Sequence, residues 1–298
     1  MEFSVVIPTY NRSEGLAMTL KSLAESRVPA DLPWEVIVVD NNSTDPTQLV
    51  VESFIYAGHP NFRYLFEPQQ GKSFALNAGI AQAKGKLIAT TDDDCIVDSQ
   101  WLTSIWREFD SDPDLAAVGG RVELYNRLDT PMTVRLSKQR MGVFSISFEA
   151  CSPPIIGCNM AFKREAFNSI GDFDQKLGPG SKHALVSEDM DWIYRACKRA
   201  FKVVYSPDLV VYHNHGRRTD SDWEITCRNY ARGRGGFYCK HILTGDREIL
   251  RLAYWEINDL WKKMWREVLV GNFAQKDLSA LWNLLLGTIY RLREEIRR

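Results

Sequence analysis

The stretch KLIATTDDDC at residues 86–95 decides the fold of this chain, because an apolar run ends there in three consecutive carboxylates. A short apolar run bounded by polar residues is typical of a buried strand. The runs FSVVI at 3–7, EVIVVD at 35–40 and FRYLFE at 62–67 have the same character. Apolar residues at helical spacing fill the gaps between these runs. We therefore predict an α/β fold whose largely parallel sheet is covered by helices on both faces.

Carboxylates end two of these predicted strands. Asp40 ends the run at 35–40, and Asp92, Asp93 and Asp94 follow the run that begins after Lys86. Ligands of parallel sheets bind beyond the carboxyl ends of the strands, so this edge is the first candidate for a functional site. Neighbouring like charges repel, and Mg²⁺ or Mn²⁺ offsets that repulsion through oxygen ligands. Alternate side chains of an extended segment point the same way, so we expect Asp92 and Asp94 to face one ligand; the alternative is a solvated acidic turn before the next helix.

Several other phosphate-binding motifs do not match. A P-loop that ended at Gly71 would need a second glycine at position 66, where Phe66 stands. The first predicted strand is followed by PTYNRSEG, which is neither the GxGxxG loop of a dinucleotide-binding fold nor a DxDx[TV] phosphatase motif. The same loop differs from the glycine-rich, arginine-containing loop of nucleotidyltransferases.

The composition of the whole chain narrows the function classes further. The 298 residues carry a formal net charge of −1, which argues against nucleic acid as a partner because nucleic-acid binders are usually basic. The N-terminus has no secretion signal, no apolar run is long enough to span a bilayer, and the six cysteines include no CxxC pair. We therefore expect reduced thiols and a cytoplasmic protein, placed on the inner membrane face if it binds lipid.

The segment 246–298 is predicted to form an amphipathic, tryptophan-rich helical extension. Apolar residues recur at helical spacing between Leu250 and Val268, and again between Leu281 and Ile296. Tryptophans and cations such as Lys262 accompany the first apolar stripe. Two interpretations stay open: the helices pack on the rest of the chain or on a second copy in a homodimer, or they bind a membrane surface.

Several segments also follow one another in the order of a known family. They are VVIPTYNR at 5–12, VVDNNSTD at 38–45, GKSFALNAGI at 71–80, TDDDC at 91–95, GCNMAFKREAFNSIGDFD at 157–174, SEDMDW at 187–192 and VVYHNHG at 210–216. Together they resemble the family 2 glycosyltransferases, which have the GT-A fold. The resemblance covers roughly residues 3–240. It implies a Rossmann-like catalytic domain at 1–245, with a nucleotide-binding half at 1–100, an acceptor-side half at 101–245 and the helical extension 246–298 outside it.

The resemblance implies roles for individual residues. Asp189 would be the general base, with Glu188 in support. Asp94 would ligate Mn²⁺ or Mg²⁺ together with His213 or His215, between which the sequence does not decide. The donor, a nucleoside-diphosphate sugar with a UDP-sugar as the first expectation, would contact Pro8, Thr9, Tyr10, Arg12, Asp40, Asn42, Lys72, Asn77, Asp92 and Asp93.

The segment RNYARGRGG at 228–236 interleaves arginines with glycines. We predict that it is a flexible basic loop in which Arg232 and Arg234 close over the donor diphosphate. The alternative is a solvated loop whose arginines have no such role.

The implied reaction is a single in-line displacement with inversion at the sugar carbon. A metal stabilises the leaving diphosphate, and a positioned carboxylate takes the proton of the acceptor hydroxyl. The acceptor would be a glycan or a lipid-linked glycan. The chain lacks the QxxRW motif of processive synthases, which favours transfer of one sugar. A sugar-nucleotide nucleotidyltransferase and a non-catalytic sugar-nucleotide-binding protein are the alternatives.

Overall fold

A computed structural model describes residues 1–143, 154–270 and 275–296. The strands are Phe3–Thr9 (β1), Trp34–Asp40 (β2), Phe62–Phe66 (β3), Leu87–Thr90 (β4), Cys95–Val97 (β5), Leu115–Leu124 (β6), Met141–Gly142 (β7), Met160–Lys163 (β8) and Lys202–His213 (β9). The helices are Ser13–Ala24 (α1), Thr47–Tyr56 (α2), Lys72–Gln82 (α3), Trp101–Ser111 (α4), Arg164–Ile170 (α5), Glu188–Lys198 (α6), Asp220–Leu243 (α7), Arg247–Leu269 (α8) and Gln275–Ile296 (α9).

The first four strands form the parallel half of one sheet, in the order β3-β2-β1-β4. Thr9 of β1 lies opposite Asp40 of β2, so both strands end at the same edge. Alternate β1 residues pack on opposite faces: Val5 and Ile7 join a core beneath α1 and α4, and Val6 joins one beneath α3 and α6. The predicted α/β fold with covered parallel strands is confirmed.

The second half of the sheet is mixed, and it brings distant segments to the acidic edge. β8 lies antiparallel between β4 and β6, and β6 pairs in parallel with β9. β9 also pairs antiparallel with β5, so that Cys95 lies opposite His213. This pairing places the end of β9 directly beside the carboxylates that follow β4.

The predicted flexible loop at 228–236 is wrong, because this segment lies inside α7. Its glycines are sites of close helix contact rather than of bending. A Cβ atom on Gly235 would lie 2.0 Å from the carbonyl oxygen of Leu284, and one on Gly287 would lie 1.8 Å from that of Arg232. The absence of side chains at these positions lets α7 and α9 pack backbone against backbone.

The two arginines of this segment face the C-terminal helices instead of the acidic edge. The guanidinium of Arg232 donates to Asn283 Oδ1 at 2.8 Å, and Arg234 Nε lies 2.7 Å from Glu256 Oε1. Their role in binding the donor diphosphate stays a prediction, which this placement does not support. None of the described helices is long and apolar enough to cross a bilayer.

Candidate functional site

One cleft opens at the edge where β1, β4 and β9 end, and it collects most of the predicted site residues. Loops after β1 and β4, the start of α3, the start of α6 and the first half of α7 all contribute to it. Among the predicted residues, it is lined by Pro8, Thr9, Tyr10, Arg12, Lys72, Asp92, Asp93, Asp94, Glu188, Asp189 and His213.

The three consecutive carboxylates point to three different partners. Lys72 Nζ lies 2.6 Å from Asp92 Oδ1, the hydroxyl of Thr9 donates to Asp93 at 2.8 Å, and Arg12 Nη2 lies 3.1 Å from Asp94 Oδ2. Asp93 and Asp94 form a turn rather than an extended segment, yet Asp92 and Asp94 both line the same cleft. The cationic groups of Arg12 and Lys72 offset the mutual repulsion of the carboxylates.

Asp93 and Asp94 are both buried, but their pKa values are shifted in opposite directions. Burial and the adjacent charge of Asp94 raise the pKa of Asp93 to about 7. Burial acts in the same direction on Asp94, but His213 and Arg12 outweigh it and hold the pKa of Asp94 well below its usual range. Of these two, Asp94 is therefore the one kept ionised, as a metal ligand must be. Burial opposes it, but the hydrogen bond with Asp94 raises the pKa of His213 to about 9, so His213 would have to release its proton to ligate a metal.

Asp94 and His213 form the group best suited to hold a metal among the described residues. Donor atoms of Asp94, Cys95 and His213 lie within 4.8 Å of one another, with His213 Nε2 3.3 Å from Asp94 Oδ1. Thr133 Oγ1 lies 2.9 Å from Nδ1 of His213 and orients the ring. Burial raises the pKa of the Cys95 thiol well above its usual value, so this sulfur stays protonated. A carboxylate and an imidazole without a thiolate fit Mn²⁺ or Mg²⁺ that is completed by diphosphate oxygens.

The structure distinguishes the two histidines between which the sequence did not decide. His215 is buried behind His213, with ring centroids 5.0 Å apart. Its Nδ1 accepts from the backbone N–H of Arg217 at 3.0 Å and lies 3.8 Å from Asp129 Oδ2. His213 lines the cleft and His215 does not, so His215 is placed as a neighbour of the cleft rather than as part of its wall.

The two acids at the start of α6 have different environments. Both oxygens of Asp189 accept backbone hydrogen bonds, from Gly157 at 2.8 Å and from Met190 at 2.7 Å. Glu188 is buried, its Oε2 has no hydrogen-bond partner, and its Oε1 lies 3.7 Å from Nζ of Lys72. Burial and the charge of Asp189 raise the pKa of Glu188 to about 7, although Lys72 opposes the shift. Asp189 is thus the oriented carboxylate, and Glu188 lies beneath it.

Besides Arg232 and Arg234, three residues predicted to bind the donor do not line the cleft. Asp40 accepts from the hydroxyl of Tyr64 and from the backbone N–H of Ser43, so it stabilises the turn after β2. Asn42 is exposed in that turn with a φ of 68°. Asn77 exchanges hydrogen bonds with the backbone of Phe173, which ties α3 to the segment before α6.

Sequence reasoning missed several cleft residues. Asn41, rather than Asn42, lines the cleft, and its Oδ1 accepts from the backbone N–H of Gly71 at the start of α3. Arg217 and Tyr230 also line the cleft, beside Asp189. Tyr230 lies in the segment predicted to be a loop, and the capping box of Thr219 and Asp222, which begins α7, was the signal that could have placed it in a helix.

The chain matches known proteins along most of its length. Residues 4–171 match the family model described as Glycosyl transferase family 2. The chain is 27% identical over 219 residues to "Glycosyltransferase AglE" of Haloferax volcanii, an alignment that spans 70% of this chain and 66% of that relative. It is 25% identical over 265 residues to the "Glucosyl-dolichyl phosphate glucuronosyltransferase" of the same organism, spanning 82% of this chain and 77% of the relative.

Solved structures share the fold at low identity. The mannosyltransferase PcManGT from Pyrobaculum calidifontis, in complex with GDP-Man and Mn²⁺, superposes with a TM-score of 0.62 at 21% identity, over 98% of this chain and 87% of that one. S. aureus TarS 1-349 in complex with UDP-GlcNAc gives 0.57 at 20% identity, over 80% of this chain and 66% of that one. With a family model that matches more than half of its residues, and with the acidic edge and the α6 carboxylates in one cleft, the chain belongs to glycosyltransferase family 2.

Proposed function

We propose that this protein is an inverting, metal-dependent glycosyltransferase that moves one sugar from a nucleoside-diphosphate sugar to an acceptor hydroxyl. One observation carries the proposal. A metal-capable pair, Asp94 with His213, and an oriented carboxylate, Asp189, line the same cleft although they come from distant segments. Transfer chemistry needs both functions within reach of a single sugar carbon.

On the donor side, the proposal rests on charge. Arg12, Lys72 and Arg217 bring cationic groups to the cleft, and they suit a diphosphate. A divalent metal, when bound by Asp94 and His213, would offset the charge that develops on the leaving diphosphate. The known complexes of PcManGT with GDP-Man and of TarS with UDP-GlcNAc support a nucleotide-sugar donor and leave the base open.

On the acceptor side, Asp189 is the proposed general base. Its carboxylate is held by two backbone N–H groups, which maintain one orientation of the side chain in the cleft. Tyr230 lies beside it and offers an aromatic face to an acceptor sugar. We propose a glycan or a lipid-linked glycan as the acceptor; one relative is by its name a glucuronosyltransferase of glucosyl-dolichyl phosphate.

The test is release of nucleotide from a panel of UDP-, GDP- and dTDP-sugars, with and without Mn²⁺. Wild-type protein is expected to release one nucleotide in a metal-dependent way, and Asp94→Ala is expected to abolish this release. Asp189→Asn should keep donor binding but slow sugar transfer by on the order of 10²-fold or more. Folded protein that binds no donor would refute the proposal. Binding without turnover would favour a sugar-nucleotide-binding protein.

A further inference from the structure

Helix α8 is covered by the rest of the chain on only one narrow edge. Of its 23 residues, only Ile249 and Ala253 are buried. That edge packs on α7 and α9, where Phe237 and Leu284 belong to the same apolar cluster as Ile249 and Ala253. Leu252 and Leu260 are half-buried beside this edge, and the opposite side of α8 is exposed.

The open side of α8 carries an apolar stripe that runs along most of the helix. The stripe consists of Leu250, Tyr254, Ile257, Trp261, Trp265 and Val268, whose exposed fractions lie between 41% and 66%. These residues recur every three or four positions and therefore lie on one side of the helix, over about 27 Å. A soluble surface rarely exposes so many large apolar groups in a row, so the stripe indicates a binding surface.

Cations border the same stripe. Arg247, Arg251, Lys262 and Arg266 are exposed, and at about 100° per residue they all lie on one side of the stripe. Within the ranges that the structure describes, none of these four forms an ion pair, whereas Lys263 of the same helix pairs with Asp259. We call these four residues the cationic flank.

We propose that α8 lies on an anionic lipid surface, with the apolar stripe inserted and the cationic flank against the headgroups. Tryptophan and tyrosine suit the boundary between acyl chains and headgroups, and unpaired cations are attracted to anionic lipids. A second copy of the chain is the other occupant that this stripe could take, and the molar mass in solution tests it. α9 adds exposed apolar residues of its own, including Leu278, Trp282 and Ile296.

The experiment is flotation with vesicles of phosphatidylcholine, alone or mixed with phosphatidylglycerol, together with the molar mass in solution. Wild-type protein is expected to float with the mixed vesicles and to bind the neutral ones more weakly. Trp261→Glu/Trp265→Glu should lower partitioning by on the order of tenfold or more. Arg251→Gln/Lys262→Gln should lower it by roughly fivefold per cation at low salt.

A control is Tyr56→Glu on α2, an aromatic residue that is more exposed than Trp261 and Trp265 and far from α8 in the sequence, and it should float like the wild type. Equal urea midpoints and equal nucleotide binding show that each variant is folded. Three results would each overturn the proposal: no flotation of the wild type, flotation unchanged in Trp261→Glu/Trp265→Glu, or a wild-type dimer that this variant dissociates. None of these readouts depends on sugar transfer, so the proposal stands or fails independently of the proposed function.

Discussion

Replacing Glu188 by glutamine is expected to stabilise the protein at neutral and alkaline pH. The Glu188 carboxyl is buried and its Oε2 has no hydrogen-bond partner, so ionisation is costly in the folded state. Its pKa is raised from 4.5 to about 7 by burial and by Asp189. Glutamine has nearly the same shape and does not ionise.

The magnitude follows from the difference between the folded and unfolded pKa values. A carboxyl whose pKa rises on folding contributes stability below its unfolded value, and this contribution is lost as the pH rises through the folded value. For a rise from 4.5 to about 7, the loss is about 3 kcal/mol. The advantage of Glu188→Gln over the wild type should therefore grow by about 3 kcal/mol between pH 4 and pH 8.

Urea unfolding of both proteins at a series of pH values measures this difference directly. Asp93, whose pKa is also raised to about 7, titrates in both proteins, so its contribution cancels in the comparison. We also expect slower sugar transfer in Glu188→Gln, because Lys72 would lose one carboxylate partner. Wild-type and variant stability curves that stay parallel from pH 4 to pH 8 would refute the reasoning.

Two further predictions concern the contact between α9 and the catalytic part. Gly287→Ala should destabilise the protein by about 1–3 kcal/mol, because a Cβ atom would lie 1.8 Å from the carbonyl oxygen of Arg232. The control is Arg293→Ala, at an exposed position of the same helix, which should change the free energy of urea unfolding by less than about 0.5 kcal/mol. Equal losses of stability in the two variants would contradict the close contact between α7 and α9. Burial favours a higher pKa for Asp174, but Lys240 and Arg291 of α9 outweigh it and hold that pKa at about 2. Acidification from pH 4 to pH 2 should therefore lower the free energy of unfolding of the wild type by about 2 kcal/mol. In urea unfolding, Asp174→Asn should lack this part of the acid dependence. An acid dependence in Asp174→Asn equal to that of the wild type would count against the ion pairs.

The sequence predicted the parallel half of the sheet because that half is built from local signals. Each strand there is an apolar run, and β1, β2 and β3 are each followed directly by a helix. The mixed half depends on pairing between distant segments. The contact of Cys95 with His213 joins residues from opposite halves of the chain, and no local pattern encodes it.

The errors at the site have physical causes as well. Glycine costs roughly 1 kcal/mol in a helix, so 228–236 was interpreted as a loop. Close packing on α9 offsets that cost at Gly235, and this gain is visible only in three dimensions. Asp40 ends β2 and Asn42 follows it as expected, but it is Asn41, between them, that lines the cleft. A shift of one residue reverses the direction of a side chain, and sequence patterns do not resolve it.

Helix α7 runs without interruption from the cleft to the C-terminal helices α8 and α9. Tyr230 of this helix lines the cleft, and the hydroxyl of Tyr238, two turns further along, donates a hydrogen bond to Glu256 of α8. The two tyrosines are about 12 Å apart along the helix axis. Because an α-helix resists compression, this spacing keeps the cleft and α8 at a constant separation. An acceptor held where α8 binds would therefore reach the cleft from a fixed starting point.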